Sequence, residues 1–180
     1  MKTPVMKSIL FLPAFLLLVA NTPFSSNNLN STPDEQQADQ RIAELNKYWK
    51  KLSKTVKEGD FEGYSSLYHE DAIVIFTTGN NKVSVAAAEA LAGWKDGFAK
   101  TKAGKQKDNV EFRFTQRVGN ANTAHETGIF HFTSVDSSGK TTADTFVHFE
   151  MLFVKKDGVW LSMMEYQRDI ATQAEWNALN

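Results

Sequence analysis

The feature that most constrains the fold is a change of hydrophobic period. Up to about residue 100 apolar residues recur in steps of three and four; beyond the polar stretch Thr101 to Asp108 they alternate, and they keep alternating almost to the end. A period near 3.6 builds helices that bury one stripe, and a period of 2 builds strands that bury one face. The chain therefore reads as a helical first half laid against a sheet formed by the second. Helices and strands segregated in this way give an α+β fold rather than a βαβ repeat.

In the first half, Thr32, Pro33 and Glu35 stand at N-cap, N1 and N3 of a helix. Ile42, Leu45, Trp49, Leu52 and Val56 draw its apolar stripe, and Gly59 ends it. Asp60 caps a second, shorter helix carrying Phe61, Tyr64, Leu67 and Tyr68, and Ala72 to Phe76 reads as a buried strand. Ser84 opens a third, alanine-rich helix with Leu91, Trp94 and Phe98, in which Gly93 and Gly97 either weaken the helix or permit close packing. In the second half, four strands are expected at Val110 to Val118, Thr123 to Val135, Thr145 to Lys155 and Val159 to Asp169. Their short connections make an antiparallel meander. Thr172 and Glu175 form a second capping box before a short terminal helix.

Ahead of this lies a leader. Lys2 and Lys7 precede an apolar run from Ile9 to Ala20, the pattern of a secretory signal peptide (1–20), followed by an Asn, Ser, Thr and Pro tether (21–31) and one domain (32–180). The run is too short for a stable bilayer span, so no membrane anchor is expected after cleavage. The expected location is periplasmic or secreted. There is no cysteine, so neither a disulfide framework nor a lipid-modified cysteine is available. Without Lys2 and Lys7 the near-neutral charge becomes mildly acidic, which gives nucleic acid no purchase.

The run from Gly59-Asp60 through Leu67-Tyr68 to Phe76, and the hairpin Asp157-Gly158-Val159-Trp160, resemble the NTF2-like superfamily in its SnoaL-like and DUF4440-like branch. The order of helices, strand and meander agrees over roughly residues 36 to 170. The resemblance implies a cone-shaped fold, three helices packed on a curved antiparallel sheet around a pocket, and pairing into homodimers. It implies no single reaction, because the scaffold hosts isomerases, cyclases, hydrolases and binding modules. By the same resemblance, the catalytic base of ketosteroid isomerase falls at Phe76 and its helix-one tyrosine at Leu52. Neither can take the role, so ketosteroid-type isomerisation is not expected.

Candidate site residues are polar groups in apolar register and aromatics on facing stripes. Glu126 shares a strand face with Gly128, Phe130 and Phe132, and Gln116 shares one with Phe112 and Phe114. Glu165 and Tyr166 stand on opposite faces of the last strand. A carboxylate under an aromatic pocket has its pKa raised and suits proton transfer, which makes Glu126 and Glu165 the catalytic candidates. The alternative is that Glu126 is solvated at a strand end and Glu165 is ion-paired. Trp49, Trp94, Gln116, Phe130 and Tyr166 are the ligand-binding candidates, with plain core packing as the other role for the tryptophans. His125 and His131 lack the helical spacing of a His-Glu-x-x-His site, so no metal and no cofactor is expected. The leading expectation is an exported protein binding a small apolar or aromatic molecule. The alternatives are a cofactor-free acid/base enzyme and an interaction module using the sheet face at His131 and His148.

Overall fold

A computed structural model describes residues 32–80 and 82–179; the leader and the tether, and with them the expected signal peptide and cleavage site, lie outside the described residues. Helix α1 spans Pro33–Glu58, opened by the expected box: Thr32 N–H donates to Glu35 Oε2 at 2.8 Å and Glu35 N–H to Thr32 Oγ1 at 3.3 Å. Its stripe buries Leu45, Tyr48, Trp49 and Leu52. It ends at Gly59, whose φ of 67° only glycine adopts freely and whose missing Cβ leaves room for the backbone of Lys102.

Helix α2 is a single turn, Phe61–Ser65, capped by Asp60 Oδ1 on Gly63 N–H at 2.9 Å. Leu67 and Tyr68 lie outside it, because β1 begins at Tyr68 and runs to Phe76. A short strand not foreseen from the sequence, β2 (Val83–Ala86), then pairs antiparallel with β1, with Val83 opposite Phe76 and Val85 opposite Val74. Its β-branched residues prefer the pleated surface to a helix start, so α3 spans Ala87–Lys102 rather than opening at Ser84.

The meander comprises β3 (Gln106–Gly119), β4 (Thr123–Asp136), β5 (Thr141–Lys156) and β6 (Val159–Ile170), and α4 (Gln173–Ala178) follows. The six-stranded order is β2-β1-β6-β5-β4-β3. All pairs are antiparallel except β1 with β6, which brings the first-half strand beside the last one. The α+β arrangement of helices on a curved sheet thus holds, with one parallel pair inside it.

The hairpin from β5 to β6 turns on Asp157 and Gly158, at φ 51° and 79°, the left-handed pair that matches the twist of the strands. This sets Trp160 beneath α1. There Trp160 Nε1–H donates to Glu44 Oε2 at 2.7 Å, and Lys155 Nζ reaches the same oxygen at 2.6 Å. Those two donors hold the Glu44 carboxyl down at about 2. The core lies between α1, α2, α3 and one sheet face, and it is dominated by aromatics: Trp49 packs against Phe112 at 4.4 Å and near Phe114, Phe149 and Phe153. On the other face, Trp176 of α4 packs with Ile129 and Phe146.

Candidate functional site

A cavity of about 590 Å³ separates the helices from the inner sheet face. Its walls are apolar: Leu52 and Val56 of α1, Trp94 and Phe98 of α3, and Val110, Phe112, Phe130, Phe132, Val147 and Phe149 of the sheet. Gly93 and Gly97, one helical turn apart, also line it. A Cβ at Gly93 would have nothing within 4 Å, and one at Gly97 would meet only Gln106 Nε2, at 3.9 Å. The two glycines therefore leave cavity volume rather than admit a packed neighbour.

Carboxylates enter this wall at two places, and Thr78, Ser134, Thr142 and Thr145 also line it. Deep inside, Glu165 is 8% exposed and lines the cavity beside Tyr64 and Gln167. Tyr68 O–H donates to Glu165 Oε2, Gln167 Nε2 donates to Oε1 at 2.7 Å, and the Tyr64 and Tyr68 hydroxyls meet at 3.0 Å. Burial raises the Glu165 pKa, against the lowering effect of the Tyr68 and Gln167 hydrogen bonds. Burial, aided by the Glu165 charge, also keeps Tyr64 and Tyr68 protonated. With Glu165 ionised, the single proton of Tyr68 is committed to the carboxylate, so Tyr64 must donate to Tyr68 and turns only lone pairs to the cavity. At the second place, Asp108 Oδ2 accepts from Thr101 Oγ1 at 2.7 Å and from Gln106 Nε2 at 2.8 Å; Asp108 and Gln106 both belong to the wall.

The raised carboxyl has a consequence for folding. Between 4.5, the ordinary value, and its raised folded value, the folded chain retains a proton that the unfolded chain has released. Stability should therefore decline as pH rises through that window and level off above it. The difference in unfolding free energy between wild type and Glu165→Gln, followed by urea denaturation from pH 4 to pH 9, should change in that sense. A flat difference would mean that Glu165 is not held in a desolvated site.

Of the residues singled out in the sequence, Glu165, Trp94 and Phe130 line the cavity. The other four lie elsewhere. Glu126 is on the inner face as expected, but it is fully buried outside the cavity, where Oε2 accepts Trp49 Nε1–H at 2.5 Å and Arg117 Nη2–H at 3.2 Å, and Oε1 accepts Arg117 Nε–H at 2.8 Å. It is neither solvated nor open to a ligand. Trp49 is correspondingly core. Gln116 is exposed, because a bulge between Phe114 and Gln116 inserts a residue and passes the inward parity to Arg117. Tyr166 faces the outer side, paired with Ile75 and Glu150, its hydroxyl 3.4 Å from Thr77 Oγ1.

The sequence reading missed Tyr64, Gln167, Asp108 and Gln106 as cavity residues. Gly128 signalled the bulge, since a Cβ there would come within 2.0 Å of the Arg113 carbonyl oxygen, and a mid-strand glycine marks such a spot. Asp108 and Gln106 were hidden because polar residues before a strand read as loop, whereas β3 begins at Gln106.

Three of the four histidines are paired on the outer face: His125 with Glu150 at 3.3 Å, His131 with Asp144 at 2.7 Å, and His148 with Asp169 at 3.0 Å. His131 also stacks on Phe146 and lies near Trp176 of α4, so the terminal helix occupies part of the face expected to meet a partner. Among the described residues, His69, Glu70 and Asp71 bring three donor atoms close together at the protein surface, where Glu70 is also 3.2 Å from Lys156. No helix among the described residues is long and apolar enough to cross a membrane.

Comparison with known proteins matches residues 43–167 to the family model of the SnoaL-like domain. A search of curated proteins returns no match. Among solved structures, a conserved protein from Planctomyces limnophilus DSM 3776 is similar over 74% of this chain and 98% of its own, at 15% identity and a TM-score of 0.60. An NTF-2 like protein of unknown function from Shewanella oneidensis MR-1 is similar over 72% and 99%, at 16% identity and a TM-score of 0.56. A ketosteroid isomerase-like protein from Erwinia carotovora atroseptica SCRI1043 is similar over 74% and 99%, at 12% identity and a TM-score of 0.55. At such identities the likeness concerns the fold alone.

Proposed function

The chain belongs to the SnoaL-like family of the NTF2-like superfamily, and from that premise we propose that it binds a small apolar or aromatic molecule in the cavity between helices and sheet. The observation that carries this reading is the cavity itself: about 590 Å³, walled by aromatics, with a buried carboxylate held in fixed geometry at its inner end. Sites for small molecules are of this size, mostly apolar, with few polar groups that set orientation. Trp94, Phe98 and Phe130 supply contact area, and Glu165 with Tyr64 fixes the ligand's polar end.

A second reading has one observation in its favour. The raised pKa of Glu165 is the property of a general acid or base, and Tyr64 stands beside it. In that reading Glu165 takes a proton from a bound carbon or hydroxyl acid and returns it elsewhere on the same molecule, without a cofactor. Thermal-shift screening of neutral aromatic compounds on wild type and Glu165→Gln separates the two. Binding alone predicts stabilised protein and no product from any bound compound. The enzyme predicts product from wild type and a loss of at least about a hundredfold in rate in Glu165→Gln, the scale of a missing acid/base group. Absence of any stabilising compound would contradict both.

Two further parts of the reading concern setting. Export is supported by the basic start and apolar run of residues 1–20; amino-terminal sequencing of the protein from its host should begin near Asn21, and a mature chain retaining Met1 would contradict it. Pairing of two copies is supported by the outer sheet face beyond α4. There a cross-strand row joins Ile73, Met164, Leu152, His125 and Val118, with Ile73, Leu152 and Val118 39%, 40% and 45% exposed. Light scattering should give a dimer that Leu152→Lys dissociates; a monomeric wild type would overturn it.

A further inference from the structure

The electrostatics of the cavity narrow the class of ligand. Resting on the proposed binding role, we propose that the natural ligand carries an amine or quaternary ammonium group on an apolar or aromatic body, with the cationic end seated against Glu165.

Three observations carry this inference. First, the cavity wall contains two carboxylates, Glu165 and Asp108, and among the described residues no lysine, arginine or histidine lines it. Second, Glu165 makes no ion pair among the described residues: its partners are the neutral Tyr68 and Gln167, so when it is ionised its charge is hydrogen-bonded but not compensated. The other buried carboxylate, Glu126, shows the contrast, since Arg117 lies 2.8 Å away. An uncompensated carboxylate in an apolar enclosure is costly, and a cation entering the enclosure removes that cost while meeting little screening. Third, the surroundings suit a cation and not merely a donor. Trp94, Phe98, Phe130, Phe132 and Phe149 line the same space, and aromatic ring faces attract ammonium groups. With Glu165 ionised, Tyr64 has its proton committed to Tyr68 and offers lone pairs, so a ligand N–H finds acceptors on both Glu165 and Tyr64. In that state an anionic ligand meets at that end a charge of its own sign, and to an anionic or purely carbonyl ligand only the amide of Gln167, among Glu165, Tyr64 and Gln167, can still donate.

The test uses matched compounds: 2-naphthylmethylammonium, the neutral 2-naphthylmethanol and the anionic 2-naphthoate, each with its benzyl or phenyl counterpart. They are titrated calorimetrically at pH 7 into wild type, Glu165→Gln and Gly97→Leu. Wild type should bind an ammonium at least about tenfold more tightly than the alcohol of the same body, the scale of a charge-assisted hydrogen bond to a carboxylate, and the carboxylate most weakly. In Glu165→Gln the ammonium advantage should fall to about threefold or less while the alcohol still binds. If wild type binds the alcohols as well as the ammoniums, the amine inference is overturned and the cavity reading stands. An advantage that persists in Glu165→Gln overturns the assignment to Glu165, and ammonium binding unaffected by Gly97→Leu places the compound outside the cavity and overturns the inference too. Failure of all six compounds to bind wild type overturns both this inference and the binding role.

Discussion

Replacing Glu126 by alanine should destabilise the protein by about 3–5 kcal/mol, the usual cost of removing one partner of a buried ion pair. The carboxylate is fully buried and receives three hydrogen bonds, from Trp49 and from two nitrogens of Arg117. Without it, the indole N–H and the guanidinium lose their buried acceptor, and among the described residues the guanidinium of Arg117 keeps Asn46 Oδ1, at 2.7 Å, and the face of Phe114. For a domain of this size that loss corresponds to a fall in Tm of roughly 10 °C. Urea denaturation at pH 7 measures it. Glu126→Gln should cost less, about 1–3 kcal/mol, because the amide oxygen still accepts one of the donors. A catalytic or ligand-binding Glu126 would behave in the opposite way, with near-normal stability and lost activity. The double substitution Arg117→Met with Glu126→Leu should recover most of the loss, since an apolar pair leaves no charge stranded.

The second large effect has opposite signs for stability and binding. Gly97→Leu should stabilise the protein by about 1 kcal/mol, because glycine is the poorest ordinary residue in a helix interior. The same substitution should weaken cavity ligands at least about tenfold. Gly97 lies within α3 with its Cβ direction opening on the cavity, where Gln106 Nε2 at 3.9 Å is the nearest atom, and Gly93 one turn earlier opens on free space. A side chain there gains helix propensity and apolar contact, and it occupies ligand space. If these glycines served close packing between α3 and a neighbour, Gly97→Leu would destabilise instead. Equilibrium unfolding and a ligand titration on the same variant decide between the two.

The contrast between Glu126 and Glu165 shows what the sequence could and could not convey. Both were visible as carboxylates in strands of apolar alternation, and both are buried on the inner face. Their difference lies in partners separated along the chain. Arg117 reaches Glu126 because the bulge at Thr115 turns it inward, whereas no cation reaches Glu165 among the described residues. Alternation fixes a face only while the register is unbroken, and each of the bulges in β3 and β6 reassigns the residues beyond it. That is why Gln116, inward by alternation alone, is exposed.

Elements with strong local signals were legible: the capping boxes at Thr32 and Thr172, the left-handed end at Gly59 and the Asp157-Gly158 turn all lie where expected. The parallel pairing of β1 with β6 was not, because it joins segments some ninety residues apart and leaves no local trace. It sets Tyr68 near Glu165, and so builds the hydrogen-bonded carboxylate that marks the candidate site.

The most direct test of the cavity as a binding site follows methionine methyl signals by NMR. Met151 lines the cavity, while Met164 stands in the outer-face row opposite Leu152. In protein labelled at the methionine methyl groups and titrated with 2-naphthylmethanol, the Met151 signal should move saturably under the ligand's ring current while that of Met164 stays in place. A titration that leaves Met151 unmoved, or moves Met164 in its stead, would contradict the account.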